Sequence, residues 1–455
     1  MRSHHGRSPK ELWTVEADIP ILKLMVRPLV VLVLLSALVP HRAVAQSSAL
    51  DPALSGYITH VSSASDFDVN GLHVICTSST QTFRGSTDPA VPRISGGVAF
   101  FGERVDLYGK IDRKKHEIEA TKIVFHKFKP EVFSGFAVID RILSSPTSGE
   151  LIVRADGYRI SINSSTQVNY TGLISSLADV KPNVWITYHG TLRDGAIMAD
   201  RATFQPNDVS NREGNLLKKT EYDPSKVPDG SKQNVWSKQF LGLNPKKIPP
   251  YRDTVMQARV DRIGSSLIPE YQRRLASDDP SKIAFRFQLI DNPKFHDALT
   301  LPNGIILVPR QIVERLPEDA QLAAVLADNI ACALEKQTYR LAPSYAAMST
   351  AQIASDVGGF FVPGLGLATG IANYSSAKSI QTDLLDQSGR VSLCLLRDAG
   401  YDLQQAPLAW WRLAAKPSKS LTETKVPPRA ENLYRTIGLI WRNDLSMATS
   451  QTSAN

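Results

Sequence analysis

The chain has 455 residues, of which 42% are hydrophobic and 21% charged, a composition typical of folded domains and not of wholly disordered protein. The formal net charge is +8, but residues 1–45 contain six Lys/Arg and three Asp/Glu, so the rest of the chain carries +5 without a long basic block. This charge gives no electrostatic argument for a nucleic-acid partner, and three cysteines are too few for a disulfide scaffold.

The N-terminal 45 residues have the layout of a targeting segment. An apolar run over residues 29–38 follows two basic residues and precedes the small residues Ala43-Val44-Ala45. The run is too short to span a bilayer comfortably. We therefore predict a signal peptide over residues 1–45, with translation starting at Met25 and a periplasmic or secreted location. The alternative is an uncleaved membrane anchor, and in that case the rest of the chain is exported as well.

Residues 50–206 alternate apolar and polar residues in short β-branched stretches, which indicates β-structure. The pattern occurs twice, about 79 residues apart. The matching stretches are Ser55-Gly-Tyr-Ile-Thr-His-Val with Ser134-Gly-Phe-Ala-Val-Ile-Asp, and Val105-Asp-Leu-Tyr-Gly with Ile186-Thr-Tyr-His-Gly. Two copies predict two small all-β domains, at 50–130 and 131–206, each an OB-like barrel of five or six strands. They resemble short β domains of unknown function in exported bacterial proteins.

Residues 207–250 are polar and turn-rich, which predicts a linker. The pattern then changes to α+β, mainly helical, over 251–443, and a polar tail follows at 444–455. The elements predicted in this region are helices over 252–275, 318–336, 384–399 and 407–415, and strands over 283–290, 298–301 and 304–308. The apolar helix at 318–336 should be the buried centre of the domain. The apolar stretch 357–372 is broken by Gly and Pro, so it is either a packed loop or a peripheral membrane contact.

Three motifs in this region keep the order of a known family. They are Asp297-Ala-Leu-Thr-Leu-Pro-Asn-Gly304, then Leu322-Ala-Ala-Val-Leu-Ala327 followed by Asp328-Asn329-Ile330-Ala331-Cys332, then Ala399-Gly400-Tyr401-Asp402. Together they resemble the HtpX-type and BepA-type zinc metallopeptidases, gluzincins related to the CAAX prenyl proteases. The resemblance implies a zincin-like fold, metalloendopeptidase activity and a zinc cofactor.

The chain departs from that family at the residues that carry its chemistry. The two histidine ligands of the family fall at Asp328 and Cys332, the general base at Asn329, and the glutamate ligand at Leu385. An amide has no titratable proton and cannot act as the base. We therefore expect a degenerate member without zinc. Two alternatives stay open: residual metal binding by Asp328 and Cys332 with an aspartate at 383 or 386, and a Cys332–His296 pair.

The resulting hypothesis is an exported pseudopeptidase that binds extended peptides or misfolded envelope proteins. In the family the peptide lies along an exposed strand edge. The residues expected to form that edge here are Gly304, Ile305, Ile306, Leu307 and Val308. Two other functions remain possible: an active metalloendopeptidase with a non-standard site, and a structural envelope protein that acts through its β domains.

Overall fold

Two β-barrels followed by an α/β region account for the residues whose placement the computed structural model describes. Those residues are 51–63, 65–85, 94–95, 99–126, 131–144, 150–193, 195–219, 222–227, 248–292, 297–340 and 375–442. They belong, from Pro52 onward, to one compact unit. The predicted signal peptide, the 357–372 segment, His296 and the 444–455 tail lie outside the described residues.

The first barrel is built from strands whose apolar residues alternate. They are β1 Leu54–Ser63, β2 Asp66–Val69, β3 Leu72–Ile75, β4 Gln81–Arg84, β5 Ile94–Ser95, β6 Arg104–Asp112 and β7 Glu117–Phe125. Five of them run in the order β3-β2-β1-β6-β7, and a parallel β3–β7 pairing closes the ring. Strand β4 continues along the same edge of β7. The inward residues, such as Ile58, Leu107 and Ile123, are fully buried.

The second barrel repeats this topology. Its strands are β8 Val132–Ile142, β9 Leu151–Ala155, β10 Tyr158–Ile162, β11 Gln167–Tyr170, β12 Trp185–Arg193 and β13 Ala196–Gln205. The order β10-β9-β8-β12-β13 is closed by a parallel β10–β13 pairing, and β11 follows β10 along β13. The predicted fold class of two small barrels before an α/β region is therefore confirmed.

The α/β region consists of helices around one small sheet. The helices are α1 Asn211–Lys219, α2 Thr254–Leu267, α3 Glu270–Arg274, α4 Arg310–Arg315, α5 Asp319–Leu334, α6 Ser375–Asp398, α7 Gln405–Ala414 and α8 Pro428–Ile440. The strands are β14 Arg286–Ile290, β15 Leu299–Thr300 and β16 Ile305–Pro309. The single helix predicted over 252–275 is in fact two, because Pro269 lacks the N–H that a continuous helix requires. No described helix combines the length and apolar composition needed to cross a bilayer.

Helix α5 is the centre of this region, as predicted from its composition. Every residue from Gln321 to Leu334 is buried, and the surrounding core takes apolar residues from α2, α6, α7 and α8. A helix that is apolar all round needs partners on every side. The cost is that its polar residues Asp328 and Asn329 are also buried and must find partners inside the protein.

Both barrels pack against helices of the α/β region. Gly102 of the first barrel has φ +78°, and a Cβ there would lie 2.1 Å from the carbonyl oxygen of Tyr434 on α8. In the second barrel, Arg154 joins the domains: its Nε donates to Asp140 Oδ2 at 2.8 Å, and its Nη1 donates to Asp398 Oδ1 of α6 at 3.0 Å. Through these contacts the two barrels cover part of the surface of the α/β region.

Candidate functional site

A group of buried charges lies where the resemblance places the zinc. Arg429 on α8 donates from Nη1 to Asp297 Oδ2 at 2.9 Å, and its Nη2 donates to Asp328 Oδ2 of α5. Ser388 on α6 donates from Oγ to Asp328 Oδ1 at 2.9 Å. The guanidinium also lies over the ring of Trp410 on α7, with Cζ 3.4 Å from the ring centroid. We call Asp297, Asp328, Ser388 and Arg429 the Arg429 network.

The electrostatics of the network follow from its burial. Desolvation raises the pKa of Asp297 to about 7, and Arg429 opposes this shift. Desolvation likewise raises the pKa of Asp328, against the same guanidinium and the Ser388 hydrogen bond. One guanidinium faces two carboxyl groups, so a single positive charge cannot compensate both when they are ionised.

Asn329, at the family position of the general base, is held on both sides. Its Oδ1 accepts from Thr300 Oγ1 of β15 at 2.8 Å, and its Nδ2 donates to the Val325 carbonyl at 2.9 Å. The residue is 2% exposed. The amide therefore ties α5 to the sheet, and it has neither a titratable proton nor a polar atom directed at solvent.

Cys332 lies one turn further along α5 and is 1% exposed. Burial raises the pKa of its thiol well above the ordinary value, and the nearby Asp328 adds to the effect. A neutral buried thiol is a poor nucleophile and a poor metal ligand, since both roles need the thiolate.

Leu385 and Asp386 on α6 do not join the Arg429 network. Leu385 is partly exposed and lies one turn before Ser388, whose hydroxyl is the α6 group that reaches Asp328. Asp386 instead accepts from Asn432 Nδ2 of α8 at 2.7 Å. The structure therefore brings together Asp328, Asn329 and Cys332, which were predicted as site residues, but not the third ligand position counted from Gly400.

The donor set does not fit the zinc that the resemblance implies. A tetrahedral zinc site needs three protein donors or more. Leu385 has no donor atom, Asp328 is already bonded to Arg429 and Ser388, and Cys332 is a buried neutral thiol. Within the part of the chain that the structure describes, no three His, Cys, Asp or Glu side chains converge in a way that could hold a metal ion.

The expected peptide-binding edge, Gly304 to Val308, is not an edge. Strand β16 lies between β14, which pairs with it in parallel over 305–309, and the antiparallel β15. All five residues are buried: Gly304, Ile305, Ile306, Leu307 and Val308. Pro302-Asn303-Gly304 does form the predicted hairpin turn, with Gly304 at φ +83°. The hairpin was predicted correctly, but β14 was not expected to cover its other side.

The outer side of β14 is covered as well. Gln257 of α2 donates from Nε2 to the Phe287 carbonyl at 2.8 Å and accepts from the Leu289 N–H at 3.0 Å. The Tyr251 N–H then donates to the Leu289 carbonyl at 2.9 Å. A side-chain amide and a short segment of chain thus occupy the hydrogen-bonding groups that an added peptide strand would use.

A polar cleft of about 340 Å³ opens between the second barrel and helices α6 and α8. Its charged lining combines carboxylates and guanidinium groups, from Asp156, Asp383, Asp386, Arg340, Arg390 and Arg435. Arg390 donates from Nη2 to Asp156 Oδ1 at 2.6 Å, and Tyr188 Oη donates to Asp156 Oδ2 at 2.6 Å. The floor is thus a fixed ion pair, while Ser134 and Asp383 lie exposed at the cleft.

The sequence alone did not point to three of these residues. Arg429 follows Pro427-Pro428, a sequence typical of a helix start, so α8 itself was predictable. Its contact with Asp328, 101 residues away, was not. The same holds for Ser388, which is an unremarkable serine in a helix, and for Gln257, whose role depends on the strand placed beside it.

The fold defines the class of protein: two closed five-stranded barrels followed by an α/β region. Within it, residues 55–123 of the first barrel match the family model of a domain of unknown function, DUF5666. The comparison gave no match to a peptidase family. No curated protein matches the chain.

Proposed function

We propose that this protein is an exported, non-hydrolytic relative of the zinc metallopeptidases that binds peptides or unfolded proteins of the cell envelope. The observation that carries the proposal is Asn329. At the position where the resemblance expects a glutamate base, both ends of a buried amide are hydrogen-bonded to Thr300 and Val325. General-base hydrolysis needs a titratable group in contact with water. Asn329 is not titratable, and it is buried away from solvent.

The cleft between the second barrel and α6 supports binding as the retained activity. Ligand sites are concave, and volumes of a few hundred Å³ are typical of them. The mixture of carboxylate, guanidinium, amide and aromatic groups in this lining suits a polypeptide, which presents both hydrogen-bond donors and acceptors. Strand β16 is internal to its sheet and the outer side of β14 is already hydrogen-bonded, so the cleft is where we place the peptide.

Fluorescence anisotropy with labelled peptides from a denatured protein tests the binding. Saturable binding is expected, and Ser134→Trp should weaken it at least about tenfold, since one indole can fill much of the cleft mouth. Ser164→Trp is the matched control, because Ser164 is exposed on the same barrel and does not line the cleft. Equal loss in both variants, or no binding by the parent, would contradict the proposal.

A cleavage assay separates this proposal from the active-enzyme alternative. The purified protein should leave labelled casein intact with zinc added and with a chelator added. Cleavage that the chelator abolishes would establish a metallopeptidase and refute the non-hydrolytic function.

Restoring the family residues tests the resemblance itself. The variant combines Asp328→His, Asn329→Glu, Cys332→His and Arg429→Ala with Ser388→Glu, and stoichiometric zinc is expected to bind. The matched variant carries Leu385→Glu in place of Ser388→Glu and should bind zinc more weakly, because the Ser388 side chain is the one that touches residue 328. If neither variant binds zinc, the family resemblance is wrong.

A further inference from the structure

We infer that the guanidinium of Arg429 is a built-in cation that occupies the place of the family's metal ion. The inference uses the peptidase resemblance for one point only, namely that the family's metal ion lies at this position. Two carboxylates bond the guanidinium, Asp328 from α5 and Asp297 from the segment before β15, and Ser388 of α6 bonds Asp328 in turn. Helices α5 and α6 are the two elements that carry the ligand positions implied by the resemblance.

The contacts resemble coordination more than a surface ion pair. Arg429 reaches two carboxylates through different nitrogens, Nη1 to Asp297 and Nη2 to Asp328. Asp297 and Asp328 have side chains only 9% and 3% exposed. Both remaining carboxylate oxygens are also bonded: Asp297 Oδ1 accepts from the Ala298 N–H at 2.8 Å, and Asp328 Oδ1 accepts from Ser388.

The charge balance explains why a cation is needed at this position. Two buried carboxylates next to each other are strongly unfavourable without a positive charge between them. A divalent metal would neutralise both, whereas Arg429 supplies one charge and directional N–H donors. The face of Trp410 completes the cage and favours a planar cation.

A simpler explanation is that Arg429 serves only as packing against Trp410. The two explanations differ in what happens when the carboxylates are also removed. If the guanidinium compensates charge, replacing it alone should be far worse than replacing all three charged groups by neutral residues of similar shape. If it only packs, the two sets of changes should cost about the same.

Urea unfolding of the full chain, followed by tryptophan fluorescence, tests this difference. Arg429→Met should lower the unfolding midpoint clearly, and the triple variant with Asp297→Asn and Asp328→Asn should recover most of that loss. Arg435→Met on the same helix is the control, because its guanidinium pairs with Glu131 at the surface and should change the midpoint little. A triple variant as unstable as Arg429→Met would overturn the inference.

The inference that Arg429 is an internal cation is independent of the proposed function. Failure of peptide binding with success of the charge test would remove the binding proposal and leave Arg429 as the internal cation. The opposite outcome would leave a peptide-binding protein whose arginine is structural.

Discussion

The pH dependence of stability should reveal the raised pKa of the Asp297 carboxyl beside Arg429. The perturbation is Asp297→Asn, which keeps the shape of the side chain and removes its titration. Asp297 is 7% exposed, and its pKa in the folded chain is about 7, against about 3.9 for an ordinary aspartate. The folded chain therefore holds this proton over a pH range in which the unfolded chain has released it.

The sign follows from which state binds more protons. Between about pH 4 and pH 7 the folded state binds the extra proton, so stability falls as pH rises. The stabilisation is fully present below about pH 4 and is lost as pH rises through 7. A difference of about 3 in pKa corresponds to about 4 kcal/mol in the free energy of unfolding. Titrating groups remote from Asp297 contribute equally to parent and variant and cancel in the difference between them, whereas Asp328, whose charge acts on Asp297, does not cancel fully.

The assay is urea unfolding at several pH values from 4 to 8, with tryptophan fluorescence as the signal. The free energy of unfolding of the parent minus that of Asp297→Asn should decrease by several kcal/mol across this range. Asp291→Asn is the control, because Asp291 is exposed and pairs with Arg310 at the surface. A parent-minus-variant difference that stays flat from pH 4 to 8 would refute the assignment of a raised pKa to Asp297.

Three further predictions concern other parts of the fold. Gly102→Ala should destabilise the protein more than Gly400→Ala. Both glycines have a positive φ, which costs about 1–2 kcal/mol when a side chain is present, but only at Gly102 would the added Cβ lie against backbone, 2.1 Å from a carbonyl oxygen. Equal shifts of the melting temperature in the two variants would contradict the packing of the first barrel against α8. Thr300→Val should cost about 1–3 kcal/mol in urea unfolding, because the Asn329 amide loses a buried partner; an unchanged midpoint would show that this bond is not formed. A thiol reagent should modify Cys76 first in the native protein, since the other two cysteines are buried, and all three after denaturation; fast reaction of a second thiol in the native state would contradict the packing around α5 or α6.

The sequence predicted those features that depend on local pattern. Alternation of apolar residues indicated both barrels, the glycine after Pro302-Asn303 indicated the turn before β16, and the apolar helix α5 was placed at the centre. Each of these is decided by residues within a few positions of one another. Pattern alone therefore sufficed for the elements and for the fold class.

The strand edge was mispredicted because the environment of β16 depends on distant residues. Strand β16 was expected at an edge because the resemblance implies a peptide-binding strand edge there, and nothing in its own sequence indicates that β14 pairs with it. The single helix predicted over 252–275 is an error of a different kind, because it is divided at Pro269 and the proline is itself a local signal of that boundary. Arg429 could not be assigned from pattern, because its partners lie more than 100 residues away and are recognised only once α5 and α8 pack together.

The proposed binding cleft and the Arg429 network use different faces of the same helix. Gln387 of α6 donates to the Phe136 carbonyl in the second barrel, while its neighbour Ser388 donates to Asp328 on α5. None of the four residues of the network lines the cleft. If the proposed function is correct, loss of the family's metal ligands would have required no change in the cleft, and the binding surface could be kept without the catalytic chemistry. For the same reason Arg429→Met, where it remains folded, should bind peptides as the parent does, and a large loss of affinity in that folded variant would show that the two regions are coupled through α6.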